Sequence, residues 1–138
     1  MAFWLLKTEP EEYSYFDLEQ SRGDTWEGVK NFAAQRNLKN MQPGDLAFIY
    51  HTGREKSITG VAEIVTPPYP DPENNKLYVV EVAPRYRLNL PVSLHEIKQD
   101  PGFSGWELVR LPRLSVMPVS EEHWLSVHKM AGEENRVT

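Results

Sequence analysis

The sequence predicts an α+β chain, a small mixed β-barrel with short helices on its flanks. Three observations carry this. The chain opens on an apolar, aromatic run, Phe3-Trp4-Leu5-Leu6, and a strand so near the terminus is ordered only by pairing inside a sheet. Further strand-like runs follow, separated by turn signals and helix caps rather than by long helices. No repeat, low-complexity tract or linker interrupts the 138 residues, so one domain is expected.

Pro10 stops the first strand because it has no N–H to donate, leaving Lys7 and Glu9 two apart at the strand end, where alternation puts them on one side. Ser14 then caps a short helix, with Asp17 in its first turn and Tyr13 and Leu18 at the spacing of a hydrophobic staple. Arg22-Gly23-Asp24 is a turn. Asn31 is placed to cap a second helix over Phe32 to Met41, which Pro43-Gly44-Asp45 ends. Leu46 to His51 is a strongly apolar strand, and Ser57 to Thr66 is another. Gly60 inside the latter marks a bulge or a close approach by another group.

Pro67 to Pro72 is too rich in proline for regular structure and reads as an exposed loop. Leu77 to Arg87 is a third long strand. Ser93 and Glu96 form a capping box for a short helix reaching about Gln99. Trp106 to Leu111 fits either helix or strand, and Leu114 to Met117 a last strand. Ser120 caps a helix with Trp124, Val127 and His128 on one face, closed by Gly132. The tail, residues 131–138, is expected to fray.

The absence of cysteine excludes disulfides, thiol catalysis and cysteine metal sites. With no basic and apolar leader and no run long enough to span a membrane, a cytoplasmic location without a membrane partner is expected. The formal net charge of −5 argues against coating nucleic acid by bulk electrostatics. The charge is uneven: residues 28–56 hold Lys30, Arg36, Lys39, Arg54 and Lys56 against Asp45 and Glu55. One basic face on an acidic body permits a few phosphate contacts.

Several runs, taken together, resemble one family: Phe3-Trp4-Leu5-Leu6-Lys7-Thr8-Glu9-Pro10, Trp26-Glu27-Gly28-Val29-Lys30-Asn31, Gly44-Asp45, Phe48-Ile49-Tyr50-His51, Gly60-Val61-Ala62-Glu63-Ile64, Pro91-Val92-Ser93-Leu94 and Leu114-Ser115-Val116. Their order and spacing are similar to those of the EVE domain, over residues 2–130. The resemblance implies a PUA-like pseudo-barrel with a pocket that accepts one extruded nucleobase. Modified cytosine in DNA is the leading ligand it implies. A modified RNA base is the second, since the related YTH domains read a methylated base. Two departures stand out. Ala34-Gln35-Arg36-Asn37 replaces the family's Ala-Arg-Asn run, and Tyr50-His51-Thr52-Gly53 replaces Tyr-His-Ser-Asn.

A base-reading pocket needs flat apolar walls and a few groups that read an edge. Trp4, Trp26 and Tyr50 are candidate walls. Asn31 can both donate to and accept from a base edge, and Glu9 can accept from an exocyclic amine. Lys7 and His51 complete the candidate base-binding set, and Lys30, Arg36 and Arg54 are candidates for phosphate. The same residues admit a structural reading, with Trp4 and Trp26 in the core and Asn31 only a cap.

Stacking is worth about 1–3 kcal/mol per base. Flipping a base costs a few kcal/mol. Edge and phosphate contacts must therefore supply the affinity. Lys7, Glu9 and His51 could instead serve as an acid–base set for a hydrolase like those in the related ASCH domains. No nucleophile or phosphate-loop motif supports this, so a non-catalytic, monomeric module without metal or cofactor is expected. A third reading, protein interaction through the Pro67–Pro72 loop, has no positive feature behind it.

Overall fold

The computed structural model describes residues 1–133. Seven strands form one curled sheet: β1 (Phe3–Thr8), β2 (Asp24–Trp26), β3 (Leu46–His51), β4 (Ser57–Ile64), β5 (Tyr69–Asp71), β6 (Asn74–Ser93) and β7 (Val116–Val119). Around it lie α1 (Tyr15–Ser21), α2 (Phe32–Leu38), α3 (Leu94–Gln99), α4 (Glu107–Arg110) and α5 (Glu121–Met130), with a 3₁₀ turn over Pro101–Phe103. The strand order is β2-β6-β4-β3-β1-β7, with β5 on the flank of β6.

The N-terminal strand is central. Its backbone pairs in parallel with β3, Phe3 opposite Leu46 and Lys7 opposite Tyr50, and antiparallel with β7. Asp45 sets this register. Its buried carboxylate accepts from Ala2 N–H at 3.0 Å, Trp4 Nε1–H at 2.9 Å and Gln42 N–H at 2.9 Å. Three donors satisfy a charge that would otherwise be costly to bury. Trp4 is thus held in the core beside the start of β3.

On the other side, Trp124 of α5 is sandwiched between Phe3 and Phe48, with ring centroids 4.4 and 4.0 Å away. His128, on the same helix face as Trp124, is fully buried; it contacts the Tyr86 hydroxyl and the Trp124 carbonyl.

Helix α1 docks through Tyr15. Its backbone N–H donates to His51 Nε2 at 3.0 Å and its hydroxyl donates to the Val61 carbonyl at 2.7 Å. Because Nε2 accepts, the proton of the neutral ring sits on Nδ1, which faces Glu55 Oε1 at 2.8 Å. Gly60 is the seat for the Tyr15 ring: a Cβ there would lie 2.7 Å from it. The close approach expected at Gly60 is therefore present, with a bulge beside it.

The caps at Ser14, Asn31, Ser93 and Ser120 all form. Other boundaries shift for tertiary reasons. Tyr69–Asp71, inside the expected proline loop, pairs with β6 as a short outer strand, where Pro70 lacks a neighbour to disappoint. β6 runs from Asn74 to Ser93, far beyond Leu77–Arg87; it passes Pro84 and Pro91 by register shifts against β4. β7 begins at Val116 rather than Leu114. β2 is too short to be legible and exists because Thr25 and Trp26 lie against Glu81 and Val80. Helix α2 ends at Leu38, before Met41. In the expected tail, Ala131 and Glu133 are buried, and 134–138 lie outside the described residues.

The sheet does not close. Among the described residues, β2 pairs only with β6, and β7 only with β1. Helix α2 bridges the β6 side of this opening to β7 with side-chain amides. Gln35 donates to the Tyr78 carbonyl at 3.0 Å and accepts from Tyr78 N–H at 2.9 Å, a rung that mimics a β-ladder. It also donates to the Val29 carbonyl at 2.7 Å, while Asn37 Nδ2 donates to the Val116 carbonyl on β7 at 2.8 Å.

Two stability measurements check this account. Trp4→Phe leaves Asp45 one donor short and should cost about 1.5–3 kcal/mol in denaturant unfolding. Burial pushes the Tyr15 hydroxyl up to about 12 from 10.0. The folded state then holds a proton that the unfolded state loses, so stability falls as pH rises between those values. The loss should be on the order of 2 kcal/mol, and that slope should vanish in Tyr15→Phe.

Candidate nucleic-acid interface

Where the open edges of the sheet approach one another they leave a cavity of about 290 Å³. That is near the small end of ligand pockets, about 300 Å³. Lys7 and Thr8 come from β1, Asp24, Thr25 and Trp26 from β2, and Ser115 from the entrance to β7. Tyr13 and the Glu27-Gly28-Val29 turn complete it. Gly28 sits at φ 81°, which favours glycine and lets the chain turn beneath the opening.

Trp26 is the floor. Only 7% of its surface remains exposed, and Tyr13 meets it edge-on at 6.2 Å and 81°. Tyr13 is a fixed wall, because its hydroxyl donates to Asp24 Oδ2 at 2.8 Å. Asp24 and Trp26 share a strand face, so the carboxylate and the indole both belong to the cavity. Thr25 points the other way and donates to Glu81, which also accepts from the Tyr69 hydroxyl. That polar cluster braces β2 against β6 and β5.

Lys7 supplies the cation. Its ammonium donates to the Pro112 carbonyl at 2.9 Å and stands 5.6 Å from the Tyr50 ring centre. Burial lowers its pKa from 10.5. The result is a slot with an aromatic floor whose lining includes the acidic residues Asp24 and Glu27 and the Lys7 ammonium. A planar ring with an exocyclic amine and ring acceptors matches that chemistry.

The sequence-derived set divides on this geometry. Lys7 and Trp26 line the cavity. Trp4 does not; its indole is spent on Asp45 in the core. Tyr50 is buried beneath Lys7 and offers no open face, and burial raises its hydroxyl pKa. His51 is 7% exposed and is committed to Tyr15 and Glu55. Glu9 lies beyond the end of β1, exposed, and accepts from Thr52 Oγ1 at 3.1 Å, so its expected alignment with Lys7 is lost. Lys7, Glu9 and His51 therefore do not converge on one acid–base site.

Asn31 caps α2 by accepting from Ala34 N–H at 3.0 Å and lines a neighbouring cleft, not the cavity. Lys30 and Arg36 are exposed near these openings in sequence, and Arg36 lies 5.9 Å over the Phe32 ring. Arg54 is at a separate site with Lys56, His95 and Lys98.

Tyr13, Asp24, Glu27 and Ser115 were not among the sequence candidates. Asp24 carried a local signal, two residues before a tryptophan on a potential strand. Ser115 carried none, since only the β1–β7 pairing brings it near Lys7.

The fold has counterparts among solved structures. A protein of Agrobacterium tumefaciens, Atu2648, is 32% identical and superposes with a TM-score of 0.95, covering 100% of this chain and 98% of the other. Thymocyte nuclear protein 1 of Gallus gallus is 31% identical over a gapped alignment of 157 positions that covers 88% of this chain. The curated relatives are longer: this chain spans 65% of the chicken protein and 56% of a Schizosaccharomyces pombe relative. Human THYN1, solved in complex with 5-methylcytosine-containing DNA, is 25% identical with a TM-score of 0.88, covering 95% of this chain and 98% of the other. Residues 2–130 match the model of the EVE domain, and the chain belongs to that family.

Proposed function

We propose that this protein binds DNA carrying a modified cytosine and holds that single base, flipped from the duplex, in the cavity between Trp26, Tyr13 and Lys7. The observation that carries the reading is the joining of an aromatic floor, two carboxylates and one desolvated ammonium in a slot of about 290 Å³. The human relative's complex with 5-methylcytosine-containing DNA supports the choice of ligand. Asp24 and Glu27 accept from the 4-amino group of cytosine, and Lys7 donates to the ring's acceptor edge. The 5-substituent packs on Trp26 and Val29.

Burying one methyl is worth about 0.8 kcal/mol, so a 5-methyl group alone supports roughly a fourfold preference over cytosine. The reading is of binding without turnover, with specificity residing in the pocket and part of the affinity in phosphate contacts.

Fluorescence titration with otherwise identical duplexes tests this. The 5-methylcytosine duplex should bind a few-fold tighter than the unmodified one, and tighter than an RNA of the same sequence. Asp24→Asn and Glu27→Gln, both at exposed positions, should weaken binding without unfolding the chain. Trp26→Ala should erase the preference. Equal affinity for modified and unmodified duplexes would sink the reading.

The Lys7 ammonium contributes fully below its pKa and is lost as pH rises through it. Since burial puts that pKa below 10.5, affinity should fall at a lower pH than an exposed lysine would dictate. Lys7→Met should flatten the profile.

A further inference from the structure

We propose that Phe32 is a wedge that fills the gap left in the duplex by the flipped base, and that Arg110 and Arg113 clamp the flanking phosphates. The inference rests on the base-binding reading of the cavity and adds the surface that opens the duplex.

Phe32 is 80% exposed, on the first turn of α2. A phenylalanine so placed adds nothing to the core, and the only ring neighbour it has among the described residues is Arg36, 5.9 Å away. It lies three residues from Val29, which lines the cavity. Three residues reach at most about 11 Å, so the ring is tethered within one short span of the cavity. Apolar side chains inserted between base steps are a general means of holding a kinked or opened duplex.

Charge names the partner. The protein carries a formal −5, yet residues 28–44 and 108–120 contain no carboxylate. These runs supply Lys30, Arg36, Arg110 and Arg113, and they meet through the Asn37–Val116 hydrogen bond. Between them lies a mostly apolar cleft of about 390 Å³, lined by Asn31, Ala33 and residues 110–114. Cleft and cavity touch at Pro112, whose carbonyl accepts from the Lys7 ammonium. Arg110 is oriented by donating Nε–H to the Gly105 carbonyl at 2.8 Å, leaving its terminal nitrogens for other acceptors. Leu111, 45% exposed, extends the apolar surface beside them. The carboxylates Asp24 and Glu27 sit on the cavity itself. Phosphates are therefore directed to the arginine side and the base edge to the acidic side, a polarity that suits a duplex entering from one direction.

Three probes separate the wedge from the cavity: the 5-methyl-2′-deoxycytidine nucleoside, a duplex with one 5-methylcytosine, and a duplex with one abasic site. Base–aromatic stacking is worth about 1–3 kcal/mol, so Phe32→Ala should weaken both duplexes about fivefold to 160-fold. It should leave the nucleoside unchanged, and Phe32→Trp should restore the duplexes. Arg110→Gln and Arg113→Gln should each reduce the slope of log affinity against log salt by about 0.9. Trp26→Ala should show the opposite pattern, losing the nucleoside and keeping the abasic duplex.

Unchanged duplex affinity in Phe32→Ala, or equal binding of the corresponding RNA duplex, would overturn the inference. If the nucleoside fails to bind while Phe32 still governs the abasic duplex, the cavity reading falls and the wedge stands.

Discussion

Among the described residues the two edges of this sheet do not hydrogen-bond to each other, and the molecule depends on how that opening is bridged. A closed barrel would satisfy β2 and β7 by pairing them. Here Gln35 pairs with the backbone of Tyr78 and Asn37 reaches Val116, so one short helix ties the β6 side of the opening to β7. Each amide bond substitutes for a backbone rung, and a buried amide with both ends satisfied is costly to disturb. What remains of the opening is the cavity, whose lining is drawn from both edges.

The second constraint acts at the far end of the same strands. Asp45 fastens the start of β1 to the start of β3 by accepting from Ala2 and Trp4, and that fixes a parallel register in which Lys7 falls opposite Tyr50. A one-residue slip would reverse which face each β1 side chain meets. Lys7 would leave the cavity and Trp4 would lose its acceptor. The position of the Lys7 ammonium at the cavity thus rests on a carboxylate at the opposite end of the strand. The same division of labour applies to the tryptophans. Trp4 and Trp124 hold the core, and Trp26 offers a residual edge to a ligand.

What the sequence made legible was local. Ser14, Asn31, Ser93 and Ser120 cap helices because a short polar side chain before a helix has one dominant use. Gly60 signalled a close approach that proved to be the Tyr15 ring. β3 was readable to the residue because all six of its side chains are buried.

The misreadings share a cause. β2 and β5 have three residues each and exist only through partners on β6. Glu9 was paired with Lys7 by strand alternation, which ends where β1 ends at Thr8. His51 entered the candidate set with the Tyr50-His51 run; in the fold its ring receives the first N–H of α1. Of the site, Trp26 and Lys7 were visible, whereas Asp24, Glu27 and Ser115 needed the topology to bring them together.

The central claim is that the opening between β2 and β7 is the seat of a flipped, modified cytosine. A crystal structure of the protein with a duplex containing one 5-methylcytosine tests it most directly. The account predicts the modified base out of the stack and against Trp26, its 4-amino group in hydrogen-bond reach of Asp24 or Glu27, and Lys7 turned from the Pro112 carbonyl toward the ring. A base still stacked in the helix, or seated in the cleft beside Asn31 and Arg113, would contradict it.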